Sequence, residues 1–275
     1  MSHTYLHGFT ADEQRRLIAQ AAYWRDTLIL PGLAYKPGES LVEIGCGCGA
    51  VLGELVRAFP GLRVSGIDRE ERQIECARSY LATVRPGAAG ADLRVGDAAS
   101  LPWPDESFDH ASMMWFLEHL PDPAAALREA LRVLRPGGTI TINETEYTTF
   151  KVWPLSEDWD HLEQAQYEHF RRHGQALIGR RLGAMLHTAG FAEVRSGPMG
   201  FHFFRGTPGQ DAALRAHCEY LAEFLEPAIP EFEKMGFDRD RLSRGIGHLR
   251  RLPELPEAAI TNVVYRASAK RPPLG

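Results

Sequence analysis

Uncompensated positive charge and cysteine are both scarce in this sequence. Its 36 acidic side chains outnumber 31 Lys and Arg, for a formal net charge of −5. Binders of nucleic acid or anionic membranes usually carry the opposite sign, so neither partner is expected. Four cysteines in 275 residues cannot staple a fold, which excludes a disulfide scaffold. Long apolar runs are missing too. No stretch reaches the roughly 20 residues needed to cross a bilayer, and the opening MSHTYLHGFTADEQRR has no signal-peptide core. A reduced, cytoplasmic protein is expected. Repeats and low-complexity segments are absent. What is present is 44% apolar and 24% charged residues, enough for a sizeable core in a soluble domain or two.

The most informative stretch is Leu41-Val42-Glu43-Ile44-Gly45-Cys46-Gly47-Cys48-Gly49-Ala50. Its first four residues have the composition of a buried parallel strand. A turn with glycine at every second position follows, and Ala50 to Phe59 reads as a helix. Strand, glycine turn and helix open a nucleotide-binding βαβ unit, in which the backbone lies close to a ligand and the N–H groups of the helix start point at it.

Around this stretch the chain alternates. Thr10 and Glu13 form a capping box for a helix carrying Leu17, Ala21, Trp24 and Leu28, ended by Pro31-Gly32. Strands are expected at Arg63–Ile67, Asp92–Val95, Phe108–Met114 and Thr139–Asn143. Helices are expected at Arg69–Val84 and Pro123–Leu134, with Arg135-Pro136-Gly137-Gly138 as punctuation. Five such alternations argue for a parallel sheet wound on both faces. After Tyr147 the rhythm changes: helices at Ser156–His173, Leu177–Thr188, Thr207–Leu225 and Asp238–Arg250, a strand at Ala192–Phe204, and a last strand at Ala259–Ser268. Pro227 and Pro230 read as breakers.

Two ligand classes use such a turn. Gly45-x-Gly47-x-x-Ala50 satisfies a loose dinucleotide fingerprint, with Asp68 lying 23 residues beyond Gly45 as the ribose-binding acid. Glu43, however, would repel a pyrophosphate and suit a cation. The full set, Glu43-x-Gly45-x-Gly47-x-Gly49, Asp68, Gly96-Asp97-Ala98, Ser107-Phe108-Asp109, Leu117-Glu118-His119 and Leu134-Arg135-Pro136-Gly137-Gly138, resembles the motifs of class I S-adenosylmethionine-dependent methyltransferases. It is most similar to the branch holding ubiquinone/menaquinone-biosynthesis and small-molecule methyltransferases. The resemblance covers about residues 40 to 145.

That resemblance implies a doubly wound, mostly parallel, seven-stranded Rossmann-like sheet of α/β class. It also implies S-adenosyl-L-methionine as cofactor, S-adenosyl-L-homocysteine as product and a small-molecule methyl acceptor, in a monomer or homodimer. The turn from Gly45 through Cys46, Gly47 and Gly49 would hold the methionine part, with Glu43 near its ammonium. Asp68 would take the ribose hydroxyls, Arg69 and Gln73 would flank the adenosine, and Gly96, Asp97 and Ala98 would meet the adenine. Met114 or Trp115 would meet the reacting methyl. Catalytic candidates past strands four and five are His119, Glu144 and Glu146, as base or as orienting groups. Substrate contacts are expected from Tyr5, His7, Tyr147, Trp153 and Phe201.

Blander readings stand beside these. Glu43 could anchor the glycine loop, and Asp97 could cap its own turn. His119 could fix its loop by hydrogen bonds. Cys46 and Cys48 read as small loop-filling residues, and no metal site is expected because no second Cys pair or His pair completes one. Arg171-Arg172-His173 and Arg180-Arg181 read as solvated helix faces. The expected division is 1–33 as an N-terminal helical lid, 34–150 as the cofactor-binding core, and 151–275 as lid helices and strands completing the sheet. A nucleic-acid or protein methyltransferase is the second function, and a nicotinamide-dependent reductase the third.

Overall fold

The computed structural model describes Leu6, Gly8 and residues 10–85 and 90–273. Five strands form the parallel part of the sheet: β1 (Ser40–Ile44), β2 (Arg63–Asp68), β3 (Asp92–Val95), β4 (Phe108–Met114) and β5 (Leu134–Thr145). A helix follows β1 and β2, an irregular connection joins β3 to β4, and a 3₁₀ turn and a helix follow β4. Helix α1 (Ala11–Trp24) precedes β1, α2 (Ala50–Ala58) follows it, α3 (Glu71–Val84) follows β2, and α4 (Pro123–Val133) leads into β5. Later come β6 (Lys151–Trp153), α5 (Glu157–His173), α6 (Leu182–Thr188), β7 (Ala192–Phe204), α7 (Pro208–Leu225), α8 (Ile229–Lys234), α9 (Arg239–Arg251) and β8 (Ala259–Lys270).

Strand order is β3-β2-β1-β4-β5-β8-β6, with β7 pairing β8 off this path. The sheet therefore has eight strands where seven were expected. The addition is β6, three residues paired antiparallel with β8 from Lys151↔Thr261 to Trp153↔Ala259 and too short to show a period. The β1–β2, β1–β4, β2–β3 and β4–β5 pairs are all parallel. Order reverses between β1 and β4. In an open sheet that reversal opens a crevice at the carboxyl ends of the strands.

The chain forms two compact units. The first holds residues 10–144, Arg181–Gly197 and 266–273; the second holds Thr145–Arg180 and Pro198–Tyr265, with Leu6 and Gly8. Strands β7 and β8 run through both. These boundaries cut across the three segments expected from sequence. Helix α1 belongs to the first unit, where Gln14 Nε2 donates to Gln73 Oε1 at 3.2 Å and Arg25 reaches Glu54 at 3.2 Å.

Local chemistry accounts for the elements. Thr10 caps α1 by accepting the Glu13 N–H at 3.2 Å, as the capping box requires. Asp122 caps α4, with Pro123 at the first helical position. Helix α5 carries Glu157, Asp158 and Asp160 in its first turn and Arg171, Arg172 and His173 in its last, both favourable to the helix dipole. Pro230 does not break the chain; it stands in the first turn of α8, where its missing N–H costs nothing. The Leu177–Thr188 helix is shorter than expected, because 179–181 is a 3₁₀ turn. Arg135–Gly138 lies inside β5, where the pairing register with β4 shifts at Phe108/His110.

Each unit has its own core. Leu41, Val42, Ile44, Leu52, Leu55, Ile67, Ile74, Met113, Ile140 and Ile142 are buried in the first. Trp159, Leu162, Phe170, Leu214, Leu221, Leu225, Phe232, Leu242 and Leu249 are buried in the second. No helix among the described residues is long and apolar enough to cross a membrane.

Candidate active site

The glycine bend leaves the carboxyl end of β1 and is held from below. The N–H groups of Gly45 and Cys46 both donate to Ile67 O at 2.9 Å, and Gly47 N–H donates to Asp68 Oδ2 at 2.9 Å. Gly49 N–H closes on Cys46 O at 2.8 Å. These four donors are spent inside the protein, so the bend offers a ligand its shape rather than a nest of free N–H groups. Gly45, Gly47 and Gly49 have φ of +77°, +49° and +74°, a region that strains any residue with a Cβ. A Cβ on Gly45 would lie 2.0 Å from the Phe116 ring; one on Gly47 would meet nothing within 4 Å. Open space over Gly47 is where a ligand can lie against bare backbone.

Glu43, two residues before Gly45 on β1, lies opposite Gly66 on β2 and Ser112 on β4 and is 2% exposed. One of its oxygens accepts the Leu52 N–H in the first turn of α2, so the strand's own carboxylate caps the helix after the bend. The other, Oε2, is buried without a partner. Burial, reinforced by the charge of Asp68, pushes the Glu43 carboxyl up to about 8. The anchoring role is therefore real, and half of the carboxylate remains available. An acid already stands before the helix start, and a pyrophosphate, unlike a cation, would gain nothing from its ionisation.

Asp68 ends β2. Its oxygens accept from Gly47 N–H and, at 3.0 Å, from Glu70 N–H, and burial raises its pKa above the usual carboxylate range. Each oxygen keeps a second lone pair for a hydroxyl donor. Arg69 is exposed and 3.5 Å from Glu70, while Gln73 is buried against Gln14. Gly96 passes tightly over Ile67, where a Cβ would come within 2.9 Å of Cδ1. Asp97 is exposed and caps its own turn, accepting the Ala99 N–H at 2.8 Å; Ala98 is buried beside it.

Past β4 the chain turns abruptly. Met114 is buried, and Trp115 has φ +48°, a conformation that costs a bulky residue about 1 kcal/mol or more. Two clamps hold it. Trp115 N–H donates to Asn143 O at 2.9 Å. Glu144, fully buried, accepts the N–H groups of Phe116, Leu117 and Glu118 at 3.0, 2.7 and 3.3 Å. The Glu118 carboxyl, itself buried, also hydrogen-bonds Glu144. Two buried acids in contact share a proton, and burial moves Glu144 upward from the ordinary carboxylate value. His119 is half-exposed, with Nε2 3.6 Å from Glu118 Oε1.

Residues 42–142 match the methyltransferase domain family. That stretch is similar to the class I, S-adenosylmethionine-dependent methyltransferases. Among curated relatives, 27-O-demethylrifamycin SV methyltransferase of Amycolatopsis mediterranei is 37% identical over 141 residues, half of each chain. Demethylmenaquinone methyltransferase of Desulfitobacterium hafniense is 37% identical over 106 residues, covering 38% of this chain and 42% of that one. The chain thus spans about half the length of the curated relatives it matches. A solved Haemonchus contortus phosphoethanolamine N-methyltransferase 2, in complex with S-adenosylhomocysteine, has a TM-score of 0.60 at 18% identity, over 98% of this chain and 61% of that one. At that identity the likeness concerns the fold.

The first unit gathers Glu43, Gly45, Cys46, Gly47, Gly49, Asp68, Arg69, Gln73, Gly96, Asp97, Ala98, Met114, Trp115, His119 and Glu144. The remaining candidates belong to the second unit or lie outside the described residues, as Tyr5 and His7 do. Glu146, 1% exposed, is bound by Arg180 at 2.7 and 3.0 Å and by Thr148 at 2.7 Å. Arg180 is thus an ion-pair partner and not only a solvated face. Tyr147 is buried, its ring 3.9 Å from that of Phe170 in the helical core. Trp153 is 51% exposed on β6, and Phe201 is half-buried on β7.

Tyr147 and Lys151 happen to share the Tyr-x-x-x-Lys spacing of nicotinamide-dependent reductases. Tyr147 is packed away, however, and Lys151 is held by Glu163 at 2.5–2.6 Å. Sequence reasoning missed the packing of Phe116 on Gly45, the Glu118–Glu144 pair and the Gln14 contact to Gln73. The Leu117-Glu118-His119 motif was the available signal for the second; the other two carried none.

Proposed function

We propose that this protein transfers the methyl group of S-adenosyl-L-methionine to a small-molecule acceptor. One observation carries the reading: the partnerless buried oxygen of Glu43, two residues before the glycine bend. An uncompensated acid at the mouth of a nucleotide fold suits a ligand with a cationic amino-acid end, and the cofactor has an ammonium and a sulfonium. The names of the relatives, quinone and rifamycin methyltransferases, support a small-molecule acceptor.

Bound in this unit, the cofactor supplies an electrophilic methyl group. The chain's own residues do the rest. Glu43 balances the ammonium, Gly45–Gly49 supply the smooth bed, and Asp68 takes the ribose hydroxyls on its remaining lone pairs. Gln73 and Arg69 flank the adenosine, and Asp97 with Ala98 borders the base. Glu144 sets the Trp115–Glu118 turn, so that Met114, Trp115 and Phe116 wall the reacting end and keep water out. Of the three proposed catalytic residues, Glu146 is neutralised by Arg180 and Glu144 is occupied by three backbone N–H donors and Glu118. His119 is the group we assign to receive or steer the acceptor's proton, oriented through Glu118.

Calorimetry with S-adenosylhomocysteine, followed by product mass analysis over phenolic, amine and quinol acceptors, tests the reading. Binding together with a gain of one methyl on any acceptor supports it. No heat and no stabilisation with the nucleoside would overturn it. His119→Asn should lower turnover at least tenfold with unchanged S-adenosylhomocysteine affinity; unaltered kcat would strip His119 of its role.

A further inference from the structure

Three features lie outside the function derived above: an apolar depression between α2, α3, β2 and β3, a set of buried histidines in the helical unit, and a pair of thiols at the glycine bend. The depression, of about 370 Å³ and lined by Leu62, Leu81 and Leu93 among others, has nothing that selects an occupant. The histidines are packed against aromatic rings, His169 near Phe170 and Phe232 and His217 near Phe203, and nothing there points to a ligand. The thiols carry an argument.

Cys48 stands between Gly47 and Gly49, and Cys76 lies on α3 one residue before Ala77. The bend and the helix are pressed together here: a Cβ on Gly49 would fall 3.1 Å from Ala77 Cβ and 3.3 Å from its Cα. At this crossing the Cys48 and Cys76 thiols are close enough for each to act on the other's ionisation. Cys48 is buried and also donates from Sγ to Gln14 O at 3.7 Å, so α1 covers it from the other side. Cys76 is half-exposed and gives reagents access to the pair. Cys46, two residues away, is turned into the sheet, where it crowds the space above Gly66.

We propose that Cys48 and Cys76 are an oxidisable dithiol, closed to a disulfide by low-molecular-weight disulfides such as glutathione disulfide, and that closure fixes the glycine bend. The exchange balances. Cys76, deprotonated, attacks one sulfur of the reagent, whose S–S bond breaks and releases one thiol. Cys48 loses its proton, attacks the Cys76 sulfur of the mixed disulfide and expels the second thiol. Two protein thiols become one disulfide, and one reagent disulfide becomes two thiols. Joining the sulfurs shortens their separation to about 2 Å, so one side chain or its backbone must move. Cys48 has little freedom except through its glycine neighbours. Burial pushes the Cys48 thiol up to about 12 and raises Cys76 as well, so closure is slow near pH 7 and speeds up with alkalinity.

The full chain is incubated with glutathione disulfide at pH 8.5 and digested without reduction, and amide exchange is followed over residues 45–53. A Cys48–Cys76 linked peptide is expected, reversed by dithiothreitol, with exchange over 45–53 slowed at least threefold. Cys76→Ser should show no linked peptide and no exchange change. A stable glutathione adduct on Cys76 without the linked peptide overturns the proposal, as does a linked peptide that leaves exchange unchanged. Neither readout needs a bound nucleoside. Failure of the methyltransferase reading would instead appear as absent S-adenosylhomocysteine binding by the reduced protein.

Discussion

The proposed placement of the cofactor's ammonium at Glu43 makes its binding a proton-release reaction. The Glu43 carboxyl, with a pKa of about 8 in the free protein, is roughly nine-tenths protonated at pH 7. A ligand whose ammonium needs the carboxylate must drive that proton off, so binding at pH 7 should release about 0.9 proton. With the ligand's own amino group, near pKa 7.7–8.0, losing its charge over the same range, affinity for S-adenosylhomocysteine should rise about twentyfold from pH 6 to pH 8 and fall above it. Calorimetry in two buffers of different ionisation heat measures both quantities. The nucleoside 5′-methylthioadenosine, which lacks the amino-acid half, should bind with no such pH dependence, and Glu43→Gln should bind S-adenosylhomocysteine weakly and equally across the range.

The same burial has a stability consequence of definite sign. The folded carboxyl is raised, so between pH 4.5 and about 8 the folded state holds a proton that the unfolded state releases. Its contribution is complete below pH 4.5 and is lost as pH climbs towards 8, with an upper bound of roughly 5 kcal/mol. Glu144 acts in the same direction. Zero proton release, or an affinity that is level from pH 6 to 8, would refute the placement of the ammonium at Glu43.

Two further predictions concern the bend and the turn after β4. Gly45→Ala forces a Cβ into the Phe116 ring at φ +77° and should cost about 2–4 kcal/mol in denaturant melts. Gly47→Ala meets open space, so it should cost only about 1–2 kcal/mol yet weaken S-adenosylhomocysteine more than tenfold; wild-type affinity would contradict the cradle. Glu144→Ala strands three N–H donors and should lose on the order of 3 kcal/mol or more, whereas Glu144→Gln keeps the acceptor for Phe116 and Leu117 and should lose about 1 kcal/mol. Equal melts for the two variants would remove the anchoring role.

The alternating sheet was legible because strands buried on both faces read as unbroken apolar runs between Gly and Pro signals, as in Leu41–Ile44. Strand β6 and helix α8 were not. Three residues have no measurable period, and Pro230 signals a break as readily as a helix start. In the candidate site, spacing from the glycine bend put Glu43 and Asp68 near strand ends, which is where they stand, because local sequence sets both positions. Asp97 as a turn cap followed from the small residues after it. The fates of Glu144 and Glu146 could not be read. Glu144's partners are backbone groups 26–28 positions away, and Glu146's cation is Arg180, 34 positions on. Sequence marks such carboxylates as exposed chemistry until long-range pairing shows what they hold. Tyr147 failed for a related reason: an aromatic near a site and an aromatic in a core have the same signature.

The closing residues of β8 have a practical corollary. Arg266 donates to Asn143 Oδ1 at 2.9 Å, Arg271 N–H reaches Gly138 O at 2.8 Å, and its guanidinium holds Arg132 O and Glu106. All of these contacts fall within the unit that carries the glycine bend, yet they come from more than a hundred positions downstream. A fragment trimmed to the recognisable 42–142 stretch would leave β5 as a bare flank, ready to recruit the same flank of another molecule. Whoever expresses the nucleoside-gripping part alone should graft residues 266–273 back on, or expect precipitate.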